Sequence, residues 1–221
     1  MQIFIIVSLH RYLKRISGER NIRIMKSLAI EREFGSGGRE IGKRVAELAG
    51  IPYYDGEMLI KEVEERGIAL DLLREYDEQK TGSILYNIAL FVNYNQDIKQ
   101  DKVYEVCYHL QETIRNLAMR GPAVFIGRCS TEILKENPRA VRAYIYSSEE
   151  QKKIERIIRT EDVSREEAQK LMERKDRQRK AYFKFWTQKK WSDRNNYDME
   201  LNTAVFSVEE CSKILLCAMQ Q

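Results

Sequence analysis

The chain has 221 residues, of which 43% are hydrophobic and 33% charged. That balance supports a real core and excludes both a disordered chain and a small disulfide-stapled scaffold. With only 11 glycines and 3 prolines, a turn-dense β-sandwich is also excluded. The net charge of +4 is unevenly spread: over residues 151–194 Lys and Arg outnumber Asp and Glu nearly two to one, and the remainder is slightly acidic. A block of this kind suits a polyanion, either nucleic acid or nucleotide phosphates, and is otherwise a solvated helix face.

The opening MQIFIIVSL is too short to span a bilayer and lacks the flanks of a signal peptide. Residues 1–24 therefore read as an extension, either an upstream start mistaken for the true one or an amphipathic segment. The domain is expected over 25–221, beginning at Met25. His10 and His109 lie outside any metal-ligand spacing, and Cys107, Cys129, Cys211 and Cys217 form no C-x-x-C pair. No structural zinc is expected, and the thiols suit a reducing, cytoplasmic setting without membrane attachment.

Ser27 to Glu31 reads as a short buried strand. A glycine turn follows, then a helix from Arg39 to Ala49 with Ile41, Val45 and Leu48 inward. A second strand, Ile51 to Tyr54, closes at Asp55-Gly56, and a helix from Glu57 to Arg66 turns Leu59, Ile60 and Val63 inward. The unit is βαβ-like, hence an α/β fold with a parallel sheet. Residues 68–119 show only helical periods and read as a helical insertion. Strands follow at Ala123 to Ile126 and Val141 to Tyr146, with Ser147 expected to cap a helix from Ser148 to Thr160. Ser164 and Glu167 have capping-box spacing at the head of a long basic helix reaching Phe185. The segment from about 156 to 182 is the expected lid. A last strand, Tyr197 to Leu201, and a helix, Val208 to Met219, finish the chain.

Gly35-Ser36-Gly37-Gly38 lies between a strand and a helix, where backbone N–H groups and the helix N-terminus can cradle phosphate. Arg32, Arg39 and Lys43 flank it, yet the full pattern G-x-x-x-x-G-K-[ST] is absent. Arg156 and Arg159 stand three apart on one helix, and Lys175, Arg179 and Tyr182 share a face of the next, so two basic faces can close over one ligand. The aromatic run Tyr182, Phe183, Phe185, Trp186 and Trp191 reads as packing at a helix end, with base stacking as the rival reading.

The ordered series IEREFGSGGREIGKRVAELAGIPYYD, VFIGR, YIYSSEEQKKIERI, KDRQRKAYF and NYDMELNT resembles bacterial cytidylate kinases, across about residues 25 to 218. The resemblance implies a P-loop nucleoside-monophosphate-kinase fold: a parallel sheet flanked by helices, a helical substrate-binding insertion and a short lid. It implies ATP and Mg²⁺ as cofactors and nucleotides as substrates, in preference to nucleic acid. The phosphate loop falls at Gly35 to Gly38, with Gly38 where those kinases carry the loop lysine. Arg39, one position later, is expected to stand in for it, assisted by the lid residues Arg156 and Arg159. Glu40 occupies the place of the hydroxyl residue that holds Mg²⁺ and is expected to hold the metal itself. Arg128 matches an arginine on the monophosphate, with Cys129 replacing the aspartate after it. Lys61 stands where those kinases place another such arginine, and Asp176 and Arg179 match the pair that grips cytosine and phosphate. The leading reading is ATP-dependent phosphoryl transfer to CMP, dCMP or a related acceptor. The rivals are a nucleotide-binding protein without turnover and, behind it, an RNA-binding or small-molecule kinase module.

Overall fold

A computed structural model of the chain describes residues 25–65 and 100–220. Residues 1–24 and most of the expected insertion therefore lie outside the described residues. Five strands form one wholly parallel sheet in the order β2-β3-β1-β4-β5, with β1 at Ser27–Arg32, β2 at Tyr53–Tyr54, β3 at Val124–Ile126, β4 at Ala140–Tyr146 and β5 at Met199–Asn202. The central strand is covered on both faces, which is why Leu28, Ala29 and Ile30 run as an unbroken apolar stretch.

On one face, Leu28, Ile30, Val124, Ile126 and Ile145 meet helix α1 (Gly38–Ala49) and the C-terminal helix Val208–Met219. On the other, Ala29 and Phe125 meet α2 (Gly56–Glu64) and α3 (Gln100–Arg120). A short helix α4 (Ser130–Ile133) follows β3, and α5 (Glu150–Glu161) and α6 (Arg165–Thr187) follow β4; the C-terminal helix is α7. This is the expected P-loop nucleoside-monophosphate-kinase-like arrangement of three layers, and it gathers the C-terminal strand ends at one edge, where ligands bind in such sheets.

Local signals place most boundaries. The capping box of α6 forms as its spacing predicts, with Ser164 and Glu167 each bonding the other's backbone N–H. Ser147, in contrast, is not a cap: α5 starts at Glu150, and the Ser147 hydroxyl exchanges hydrogen bonds with the backbone of Glu149. Leu48 is 39% exposed and not inward, because the stripe that meets the sheet is Ile41, Val45 and Ala46. Tyr197 precedes β5 instead of starting it; its hydroxyl donates to the Trp191 carbonyl, and its ring stacks on Tyr144 at 4.9 Å. Phe183 and Trp191 are buried in that same cluster, so the aromatic run packs on the sheet.

Candidate functional site

A cavity of about 560 Å³ opens at the C-terminal ends of β1 and β3, between the glycine turn, α2, α5 and α6. Its floor is the β1–α1 turn. Gly35 and Gly37 adopt φ of +77° and +86°, the left-handed region that glycine enters without strain. The Ser36 hydroxyl and N–H both donate to the Glu33 carbonyl, burying Ser36 as the turn's internal brace. Gly37 is the N-cap of α1 and offers no side chain, and no described acceptor takes the N–H groups of Gly37, Gly38, Arg39 or Glu40. A helix start left open in this way attracts an anion.

Helices α5 and α6 hold this loop by its main chain. The Arg156 Nη1 donates to the Gly35 carbonyl at 2.8 Å, Asp176 Oδ1 accepts the Phe34 N–H at 2.7 Å, and Arg179 Nη1 donates to the Arg32 carbonyl at 2.9 Å. Lys153 pairs with Glu33 at 3.0 Å, and the Arg179 guanidinium lies 5.2 Å from the Phe34 ring centre. Burial pushes Arg179 down to about 9, and Arg32 beside it adds to the effect. Asp176 is pushed up by burial, against the Phe34 N–H and Arg179.

At the end of β3, Gly127, Arg128 and Cys129 all have positive φ, 70°, 59° and 55°. Two consecutive non-glycine residues there mark a strained turn, and it throws the Arg128 guanidinium across Gly56, where any Cβ would collide with it. Asp55 caps α2 by accepting the N–H groups of Glu57 and Met58, and its second oxygen takes Arg39 Nη2 at 2.6 Å. Burial alone would raise the Asp55 carboxyl, but the Met58 N–H, Arg39 and the Glu57 N–H outweigh it and hold it below its ordinary value of 3.8. Asp55→Ala is therefore expected to destabilise the fold by about 1 kcal/mol at neutral pH. The difference should shrink as pH falls through the lowered value, because the protonated carboxyl no longer attracts Arg39. Urea denaturation of both proteins at pH 7 and pH 3 checks this.

Among the residues expected at the site, Gly35, Gly37, Gly38, Arg39 and Glu40 line the cavity from the loop, and Arg128, Arg156 and Arg179 line it from the other elements. Ser36 and Asp176 brace the loop from behind. Lys61 is exposed on α2 and Arg159 is 70% exposed on α5, and neither lines the cavity. The Arg39 guanidinium is turned to Asp55, and Glu40 faces Arg156 at 3.7 Å and Arg159 at 3.9 Å. No three His, Cys, Asp or Glu side chains converge on a metal position among the described residues. Glu40, a single carboxylate in the first turn of α1, suits Mg²⁺ only as an ion carried largely by phosphate oxygens and water.

Sequence reasoning missed Glu31. It is 4% exposed at the end of β1 and lines the cavity; its Oε2 accepts the Trp191 indole N–H at 3.2 Å, and its Oε1 has no partner among the described residues. The signal was a carboxylate inside an otherwise apolar strand. Burial pushes the Cys129 thiol well up, which favours its neutral form.

No curated protein matches the sequence. Among solved structures, an uncharacterized protein from Eubacterium ventriosum ATCC 27560 superposes with a TM-score of 0.65 at 26% identity, covering 89% of this chain and 99% of its own. A gluconokinase from Sinorhizobium meliloti 1021 (TM-score 0.51, 14% identity, 89% and 93% covered) and a shikimate kinase from Bacteroides thetaiotaomicron (0.50, 14%, 89% and 99%) share the fold. Residues 27–205 match the cytidylate kinase-like family. That match spans the sheet, the glycine turn and helices α5 and α6, and the chain belongs to the cytidylate kinase-like family.

Proposed function

We propose that the protein transfers the terminal phosphoryl group of ATP to a nucleoside monophosphate, with CMP and dCMP the leading acceptors. The observation that carries the reading is the open start of α1, with its free N–H groups, beneath Arg32, Arg128 and Arg179. Burial depresses Arg32 and Arg179, helped by repulsion from Arg128 and Arg39 on the first and from Arg32 on the second, and an anion among these guanidiniums relieves both. Phosphoryl transfer needs this environment more than it needs covalent chemistry: positioned phosphates, neutralised charge and excluded water.

In this reading the α1 N–H groups bind the donor's phosphates and Arg128 orients the acceptor phosphate from the β3 turn. Arg156 and Arg179 keep the loop in shape through its carbonyls. Mg²⁺ arriving with the nucleotide would supply charge neutralisation at the phosphates, and Glu40 is the residue that would hold it, through water. The free thiols of Cys107, Cys129, Cys211 and Cys217 fit the cytoplasm such substrates imply, and no helix among the described residues is long and apolar enough to cross a membrane.

A second reading, nucleotide binding without turnover, is favoured by one feature. Two arginines expected to act on the phosphates, Arg39 as the stand-in for the loop lysine and Arg156 from the facing helix, already have protein partners, Asp55 and the Gly35 carbonyl. A coupled assay of ATP consumption with CMP, dCMP, UMP and AMP decides between them, run beside melting curves with and without Mg²⁺–ATP. Turnover with CMP or dCMP and a rise in melting temperature are expected. A melting shift without turnover selects the second reading, and the absence of both rejects the two together. A salt-sensitive gel shift that ignores nucleotide would point to RNA instead.

A further inference from the structure

The arginine that closes β1 is placed where the glycine loop lacks its cation. We propose that Arg32 holds the transferring phosphoryl group, in the space that glycine at position 38 leaves open; the proposal rests on the phosphoryl-transfer reading.

The main-chain position of Arg32 is pinned, since its carbonyl accepts from Arg179 Nη1 at 2.9 Å. From there its side chain crosses directly over Gly38. A Cβ built on Gly38 would lie 2.6 Å from Arg32 Cβ and 2.9 Å from its Cγ, well inside the roughly 3.5–4.0 Å at which carbon atoms pack. Side chains at 32 and 38 therefore exclude one another, and the chain carries only the first. At its far end the guanidinium lies against Gly127, where a Cβ would collide with Nη1 and stand 3.1 Å from Cζ. Two glycines thus make the channel for one arginine, which runs from the first residue of α1 to the turn that presents Arg128.

Arg32 also differs from its neighbours in what it binds. Arg39, Arg156 and Arg179 are engaged by Asp55, by the Gly35 carbonyl and by the Arg32 carbonyl. The Arg32 guanidinium makes no hydrogen bond or ion pair with a described residue, although it lines the cavity and Glu31, Arg128 and Arg39 surround it. A cation between the open α1 N-terminus and the acceptor turn lies where charge spreads over the phosphoryl oxygens during transfer. The planar fork of arginine can hold two of those oxygens at once. Glycine at 38 is then not the loss of a phosphate ligand but the room for a replacement entering from the strand.

The test uses the full chain, with ATP affinity by calorimetry and turnover with CMP. Arg32→Met removes the charge and keeps a stem over Gly38, so folding should survive, which the melting curve without ligand verifies. Turnover is expected to fall by about 10²–10³-fold and ATP affinity by at least about tenfold. Gly38→Lys in the presence of Arg32 is expected to impair both, because the two stems collide. The exchange Arg32→Gly with Gly38→Lys should recover at least about tenfold over Arg32→Gly alone. A wild-type chain that binds and turns over ATP while Arg32→Met stays within twofold overturns the proposal and leaves the phosphoryl-transfer reading intact. So does an exchange variant no better than Arg32→Gly. A wild-type chain that binds ATP without turnover rejects the phosphoryl-transfer reading and the proposal with it. A wild-type chain that neither binds ATP nor consumes it overturns both as well.

Discussion

Gly35→Ala is expected to abolish the nucleotide-dependent melting shift and to lower the melting temperature of the free protein. A Cβ at this position would stand 2.7 Å from the Lys153 carbonyl oxygen and 2.9 Å from Ile157 Cδ1. The first is backbone in the first turn of α5, so relief requires that end of the helix to back away. That movement breaks the Arg156 bond to the Gly35 carbonyl and the Lys153 pair with Glu33. The left-handed φ of +77° adds about 1–2 kcal/mol for a residue with a Cβ, and the forced contact about 1–3 kcal/mol more. Together these correspond to about 4–20 °C for a domain of this size. Gly50→Ala is the control: its φ is +64° but nothing lies within 4 Å of the added Cβ, so it should bear only the backbone strain and bind nucleotide normally. Calorimetric melting with and without Mg²⁺–ATP measures both. A Gly35→Ala protein that binds as the wild type does would show that α5 does not clamp the loop.

Glu31→Gln is expected to stabilise the protein at neutral pH and to leave it unchanged in acid. Burial raises the Glu31 carboxyl above its ordinary 4.5, and the opposing pulls of Arg32, Trp191, Arg179 and the Cys129 backbone are not enough to restore it. A carboxyl with a raised folded pKa holds its proton in the native state after the unfolded chain has released it. The stability associated with the neutral form is therefore complete below pH 4.5 and is lost as pH rises from there through the folded value. Glutamine keeps an acceptor for the Trp191 indole and cannot ionise, so it removes that loss, worth on the order of 1–3 kcal/mol. Denaturation of both proteins across pH 4 to 8 should give curves that coincide at the acid end and diverge above it. A constant offset at every pH would mean that Glu31 is not the titrating group.

The strand, glycine turn and helix from Ser27 to Ala49 were legible in the sequence because each signal is local. An apolar run buried on both faces, glycines at positions of left-handed φ and a helical stripe need no distant partner to be recognised. The capping box at Ser164 and Glu167 is local in the same sense, and the ordered motifs carried the family. What the sequence left undecided was the direction of charged side chains. Arg39 and Arg32 flank the same turn, and nothing nearby says that Arg39 turns to Asp55, sixteen residues on, while Arg32 lies across Gly38. Glu31 reads as a strand residue until Trp191, 160 positions away, covers it. Long flexible side chains have many rotamers of similar energy, and only the packed neighbours of the folded state select among them. The sequence by itself determined the parallel sheet, the glycine turn and the helices that flank them; how each arginine of the cavity is directed, Arg39 to Asp55 and Arg32 across Gly38, was decided by the packed side chains of the folded state.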